Sequence, residues 1–177
     1  MASAGGVRMI TYRDGVPADA AALDRIFDIT FCGTFAHLYA AEDLEAFLGG
    51  FGIADWETQL ADPAFAFRVA EENGEPIGYV KLGPVEKLAI EPAGPALLLD
   101  QLYVLKGHHG SGIASALMDW AIDESRRRGA KGLYLTVYIE NHRARRFYDR
   151  YGFEAVGRYD FMVGKHADED VIMRKSL

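Results

Sequence analysis

Apolar and polar residues change rhythm several times along the chain, and each change marks an element. Near the start Ile10 and Tyr12 alternate with polar neighbours, the period-two pattern of a short strand over 9–13. From Pro17 the spacing lengthens. Leu23, Ile26, Phe27 and Thr30, then Phe27, Phe31 and Phe35, recur three and four apart. This predicts a helix over 17–36 with a proline in its first turn. A shorter helix over 42–48 stops at Gly49-Gly50, and a third over 53–60 ends before Asp62-Pro63. The pattern then returns to strands over 65–71 and 77–82, joined by Glu72-Asn73-Gly74-Glu75-Pro76, a hairpin turn centred on Asn-Gly. Residues 83–95, with prolines at 84, 92 and 95, read as an irregular loop. The next strand, 96–105, carries Leu97-Leu98-Leu99, a run suited to burial on both faces.

Helical spacing resumes over 110–128, where Ile113, Leu117 and Ala121 share a face that Ala114, Met118 and Ile122 widen. Arg126-Arg127-Arg128 suits the negative end of that helix, and Gly129 stops it. A strand over 132–139 follows, then a helix over 141–151 with Asn141 as N-cap and Gly152 as terminator. Strands over 153–163 and 170–175 close the chain. The meandering middle strands argue for antiparallel pairing, and the strand–helix–strand segment 96–139 for a parallel crossover. The expected class is α/β (α+β): a mixed, mostly antiparallel sheet of about seven strands with helices on both faces. No repeat or linker divides the 177 residues, so 1–177 read as one domain, with 1–7 as a loose tail.

Composition narrows the partners. Half the residues are hydrophobic, a quarter are charged, and mean hydropathy is −0.05. No apolar run approaches the roughly 20 residues that span a bilayer, and the start has no signal-peptide core. The expectation is a cytoplasmic protein without a membrane partner. The one cysteine, Cys32, allows no internal disulfide. A net charge of −7 disfavours nucleic acid; it suits a cationic small substrate, and equally plain solubility.

Two segments carry candidate chemistry. In the first, the strand ending Leu102-Tyr103-Val104 breaks into glycines at His109-Gly110-Ser111-Gly112-Ile113-Ala114 and becomes helix-forming. Glycines let the backbone curl and expose successive N–H groups, and a helix start leaves its own donors unpaired. Both properties suit a diphosphate. The segment lacks the Gly-Lys-Ser/Thr of a P-loop, and its G-x-x-G-x-G order is not the dinucleotide fingerprint. Taken alone, it reads equally well as a Gly-rich connection without a ligand. In the second segment, Ala144, Phe147, Tyr148 and Tyr151 share a helix face. Core packing accounts for Phe147 and Tyr151. Tyr148 also offers a phenol, ordinarily near pKa 10, against about 8.5 for a thiol, so proton donation to a thiolate costs about 2 kcal/mol.

Together these segments resemble the GNAT N-acetyltransferase superfamily. Its acetyl-CoA motif, Q/R-x-x-G-x-G/A, corresponds to His109 through Ala114 with Leu102-Tyr103-Val104 before it. Its second motif is similar to Asn141-x-x-Ala144-x-x-Phe147-Tyr148-x-x-x-Gly152-Phe153. The resemblance implies acetyl-CoA as cosubstrate and a specific set of roles. Main-chain groups of Leu102, Tyr103 and Val104, where the strand would bulge and splay, would bind the pantetheine arm. N–H groups of Gly110, Ser111, Gly112, Ile113 and Ala114 would hold the pyrophosphate. Asn141 would bond the cofactor arm, and Tyr148 would protonate the departing CoA thiolate. His109 stands where the family has Arg or Gln, and would bond phosphate best when protonated. Adjacent His108 and His109 lack further ligands at metal spacing, so no metal is expected. A narrower similarity, to bacterial spermidine/spermine N-acetyltransferases, rests on Phe31-x-x-Thr34-Phe35-x-x-Leu38-Tyr39, Glu42-Asp43-Leu44, and Phe161-Met162-Val163-Gly164 with Asp170-Val171-Ile172-Met173 after it.

The expected reaction is direct attack of a primary amine, on a small molecule or a peptide, on acetyl-CoA in a ternary complex, driven by positioning and oxyanion stabilisation. Cys32 lies away from both motifs, which disfavours an acyl-enzyme. Asp100 and Glu140 are candidate bases; pairing with a cation, or a solvated strand end, is the other reading of each. Phe35, His37 and Tyr39 are acceptor candidates, with core packing and a surface position as the other readings of Phe35 and His37. A non-catalytic CoA-binding sensor or interaction module is the alternative function, and a homodimer is compatible with the superfamily.

Overall fold

A computed structural model describes residues 8–177; the tail expected over 1–7 lies outside the described residues. The elements run β1 (Ile10–Asp14), α1 (Ala20–Phe35), α2 (Ala41–Gly49), α3 (Ile53–Ala61), β2 (Ala66–Glu72), β3 (Glu75–Pro84), β4 (Ala96–Val104), α4 (Ile113–Arg127), β5 (Gly132–Tyr138), α5 (His142–Arg150), β6 (Glu154–Val163) and β7 (His166–Ser176). The strands form one seven-stranded sheet in the order β1-β2-β3-β4-β5-β7-β6. β4 and β5, linked through α4, pair in parallel; the other neighbours pair antiparallel. The β2–β3 turn is the two-residue Asn73-Gly74 connection, with φ of 52° and 87°, the positive values an Asn-Gly hairpin turn demands.

Helices cover both faces of the sheet. Under α4 the core includes Val80, Leu82, Leu99, Leu133, Leu135, Val137 and Met173, with Leu117 and Met118 buried above them. Under α1 and α3 it includes Phe67, Val69 and Tyr79, with Leu23, Ile26 and Trp56. Consecutive residues of β4 serve opposite faces: Leu99 belongs to the α4 core, and Leu98 packs with Val85, Leu88, Tyr134 and Ile172. That division is what the Leu97-Leu98-Leu99 run anticipates. No helix among the described residues is long and apolar enough to cross a membrane.

Several boundaries differ from expectation, and three of them are explained by local contacts. The first helix opens as a 3₁₀ turn over Pro17–Asp19. There Asp19 takes two bonds from Arg13, at 2.8 and 2.7 Å, and one from the Val16 N–H at 2.9 Å, which holds the entry apart from α1. The stretch 83–95 is not wholly irregular. β3 runs to Pro84, and Val85–Leu88 forms a 3₁₀ turn because Val85 and Leu88 are drawn into the core. Finally, α4 starts at Ile113 rather than Gly110, since Gly110 and Gly112 adopt left-handed φ of 77° and 81°.

The feature that positions the site is a divergence of strands. β4 and β5 pair from Ala96↔Gly132 to Leu98↔Tyr134, and there the ladder stops, although β4 continues to Val104 and β5 to Tyr138. On its other side β4 carries a bulge: Leu82 pairs with Leu99 and Lys81 with Gln101, so Asp100 is the extra residue. The bulge and the lost ladder open a wedge at the middle of the sheet.

Candidate active site

A cavity of about 660 Å³ occupies this wedge, lined by β4 from Leu99 to Val104, the ends of β5 and β7, the start of α4, and faces of α1 and α5. Local backbone chemistry sets its character. The left-handed glycines face open space: an added Cβ would meet nothing within 4 Å at Gly110 or Gly112, so conformation and not room calls for glycine. The main-chain N–H groups of residues 110–115 find no protein acceptor among the described residues, and the first to reach a carbonyl is that of Ala116, bonded to Gly112 at 3.0 Å. A run of unpaired donors at a helix start is an anion site. The Ser111 hydroxyl turns back onto the His108 carbonyl, which leaves its main chain for a ligand.

His109 lines the cavity, but its ring is already engaged. Arg143 of α5 donates to Nδ1 at 3.2 Å, which requires Nδ1 to accept and leaves Nε2 to donate to the Val104 carbonyl at 2.8 Å. Both ring nitrogens of His109 thus have protein partners, and Arg143 brings a cation to the glycine turn. Arg146 and Arg150 follow it along α5, and all three line the cavity. A chain of net charge −7 thus keeps a basic strip where N–H donors collect.

Tyr148 faces the same cavity and packs against Phe147 and Phe153. Burial pushes its hydroxyl up to about 12, so it stays protonated throughout the physiological range. Tyr103, on β4, is also raised by burial and feels the nearby Tyr148 phenol. Leu102, Tyr103, Val104, Gly110, Gly112, Ile113, Ala114 and Asn141 all line the cavity. Asn141 caps α5, its Oδ1 accepting from the Ala144 N–H at 3.3 Å, which leaves its amide –NH₂ group unused by the cap.

Of the two candidate bases, Asp100 lines the cavity and Glu140 does not. Asp100 bonds Lys81 at 2.9 Å and Lys87 at 2.7 Å; burial would raise its carboxyl, but the two ammonium groups win and hold it below its ordinary value. Lys81 is itself 3% exposed and ringed by Phe51, Trp56 and Phe65. Asp100 is therefore already paired with two cations. Glu140 lies on the surface beside His142 at 3.2 Å and does not line the cavity. His37 is exposed and outside the cavity as well, since the 3₁₀ turn Ala36–Leu38 points it to solvent. Phe35 and Tyr39 do line it, Phe35 edge-on to Tyr138 and Tyr39 stacked on Phe31. Cys32 is half-buried outside the cavity, its thiol pushed up by burial and by Asp28.

Sequence reasoning missed the far end of the cavity. Asp168 and Asp170 of β7 are 5% and 6% exposed and face it, with Phe31, Phe161 and Tyr138 beside them. Tyr39 donates its phenol to Asp168, and His166 reaches the other oxygen at 3.1 Å. Burial pushes the Asp170 carboxyl up to about 7; the Thr136 hydroxyl pulls against this and the Asp168 charge adds to it. The available signal was Asp-Glu-Asp running into a strand, which sets two carboxylates on one face. A strand read from Asp170 onward hides that pair, because β7 begins at His166. Among the described residues no group of three or more His, Cys, Asp or Glu is placed to hold a metal ion.

Comparison with known proteins supplies the context for this geometry. Residues 23–153 match the acetyltransferase (GNAT) family. An uncharacterised N-acetyltransferase of Mycobacterium bovis is 32% identical over 158 residues, covering 89% of this chain and 95% of the relative. The aminoalkylphosphonate N-acetyltransferase of Salmonella typhimurium is 33% identical over 112 residues, 63% of this chain and 68% of the relative. The crystal structure of the PaiA N-acetyltransferase of Thermoplasma acidophilum, in complex with coenzyme A, has the same fold. It matches with a TM-score of 0.76 at 19% identity, over 96% of this chain and 99% of that one.

Proposed function

The chain belongs to the acetyltransferase (GNAT) family, acetyl-CoA-dependent acyltransferases, and on that premise we propose that it acetylates a primary amine by direct attack, with Tyr148 as proton donor to the CoA thiolate. What carries the reading is that one cavity is lined by the unpaired N–H groups after His109, the open edge of β4, and the Tyr148 ring. The donors and Arg143 hold the pyrophosphate. The pantetheine arm lies along β4 where the ladder with β5 is missing, and Asn141 offers its amide to that arm. The oxyanion that forms on the thioester carbonyl oxygen is stabilised by β4 main-chain N–H groups. The amine enters from the β7 end. Burial raises the Tyr148 phenol, but it raises a thiolate leaving group in the same pocket too, so proton transfer to sulfur stays within reach.

The narrower reading is a polyamine acceptor such as spermidine or spermine; it is supported by the aspartates at the acceptor end and by the Phe31 to Tyr39 segment that walls it. The test is CoA release over a panel of spermidine, spermine, aminoglycosides and peptide N-termini. Turnover of an amine supports the reading. Acetyl-CoA binding without turnover on any of them would favour a CoA-binding sensor or interaction module instead.

A further inference from the structure

We propose that the β7 end of the cavity is the acceptor subsite, that it takes a primary ammonium on a carbon chain with no anionic group near the nitrogen, and that Asp170 removes the ammonium's proton before attack. This rests on the acetyl-transfer reading above and deepens it.

Placement comes first. Asp168 and Asp170 stand two apart on β7 and therefore on one face, and Asp170 lies opposite Tyr138 of β5 and Tyr159 of β6 in register. Of the two carboxylates, Asp168 is occupied: Tyr39 donates to one oxygen and His166 meets the other. Asp170 is different. It is 6% exposed, it opens into the cavity, and it has no ion-pair partner among the described residues. The groups that face it are Asp168 from its own strand, Thr136 and Tyr138 from β5, Tyr103 from β4 and Tyr39 from the turn after α1. None is a cation. Its immediate neighbours on β7, Val171 and Ile172, are buried apolar residues of the kind that would stabilise this position better. A carboxylate with no counter-ion in such a place calls for a cation supplied from outside.

The walls specify the rest. Phe31, Phe35, Tyr39 and Phe161 offer ring surface suited to an ammonium and a slim carbon chain. A carboxylate or phosphonate close to the nitrogen would be pushed off by Asp168 and Asp170. An aminoalkylphosphonate, the substrate class that one relative is named for, is thus a poor fit here.

The proton balance is complete without a further reactant. The Asp170 carboxylate takes one proton from the ammonium and later returns it to solvent. The neutral amine forms the C–N bond at the acetyl carbon. As the C–S bond breaks, Tyr148 protonates sulfur. The second proton lost by nitrogen restores the phenol through solvent. One proton is released per turnover, the one the ammonium brought in.

The experiment measures CoA thiol release by the full chain with butylamine, 1,4-diaminobutane, 4-aminobutyrate and 2-aminoethylphosphonate. Wild type should use the first two at least about 10-fold better than the last two, the scale of a few charge-assisted contacts. Asp170→Asn should lower kcat near pH 7 by about 100-fold, the lower end of a general base's contribution, with acetyl-CoA affinity unchanged. Its residual rate should climb with pH as free amine accumulates. Thr136→Val keeps the carboxylate and removes the hydroxyl that favours its charged form, so the acid limb of kcat should move to higher pH. Turnover that is insensitive to both substitutions overturns the Asp170 assignment and leaves acetyl transfer standing. Equal use of the anionic amines overturns the substrate class. Acetyl-CoA binding with no turnover of any amine overturns the acetyl-transfer reading and this proposal with it.

Discussion

Asp170→Asn should make the ligand-free protein more stable at pH 8, and the size of the gain follows from burial. The native carboxyl sits at about 7 against an ordinary 3.8. A folded-state value above the unfolded one means that the native state holds its proton longer. Stability attributable to Asp170 is therefore full below about pH 4, is lost as pH rises from about 4 to 7, and stays lost above that. The interval from 3.8 to about 7, at about 1.4 kcal/mol for each pH unit, makes the loss about 4 kcal/mol. That is a large fraction of the roughly 5–15 kcal/mol that holds a domain folded. Asparagine has nearly the same shape and no charge, so it should recover most of this. Urea unfolding followed by fluorescence suits the measurement because Trp56 is fully buried. Wild type and variant are compared at pH 5, 6, 7 and 8, so that contributions from other titrating groups cancel in the difference. The variant should pull ahead steadily to pH 7 and then hold its lead. A variant no more stable than wild type at pH 8, or a difference that does not grow over that window, refutes the picture of an uncompensated buried carboxylate.

Three further substitutions probe other parts of the site. Tyr148→Phe should lower kcat by about 100-fold with little change in acetyl-CoA affinity, because it removes a proton donor and leaves the cradle intact; unchanged turnover with chemistry rate-limiting removes that role. Arg143→Ala should weaken acetyl-CoA binding roughly 10-fold at low salt and by less in 1 M salt, the behaviour of a charge-assisted phosphate contact, and titration calorimetry giving unchanged affinity at low salt would return the phosphate role to His109. Asp100→Asn should cost about 3 kcal/mol in urea unfolding, because it strands buried Lys81. Its kcat below the melting temperature should stay near wild type, and a collapse of kcat in a folded variant would restore Asp100 as the base.

How much was legible depends on the range of the interactions. Element types read well where a local pattern sufficed: the Asn73-Gly74 hairpin, the apolar stripe of α4, the Leu97-Leu98-Leu99 run and the Asn141 cap all rest on contacts within a few residues. The glycine turn was equally local, since positive φ at Gly110 and Gly112 is a property of those residues. The partners of charged groups were not legible. Asp100 finds Lys81 because a bulge between two strands brings them together, and His109 finds Arg143 across 34 residues of chain. The acceptor end required the longest reach, with Tyr39 meeting Asp168 across 129 residues.

From its sequence alone this protein has its strand and helix order, its family, and a backbone turn that must present unpaired N–H groups, because periodicity, φ preference and helix capping act over one or two turns of chain. Only the folded sheet settles which carboxylates are neutralised and which are left buried without a counter-ion. A carboxylate's chemistry depends on what surrounds it within a few ångströms, and here those surroundings come from strands that meet only when the sheet is complete.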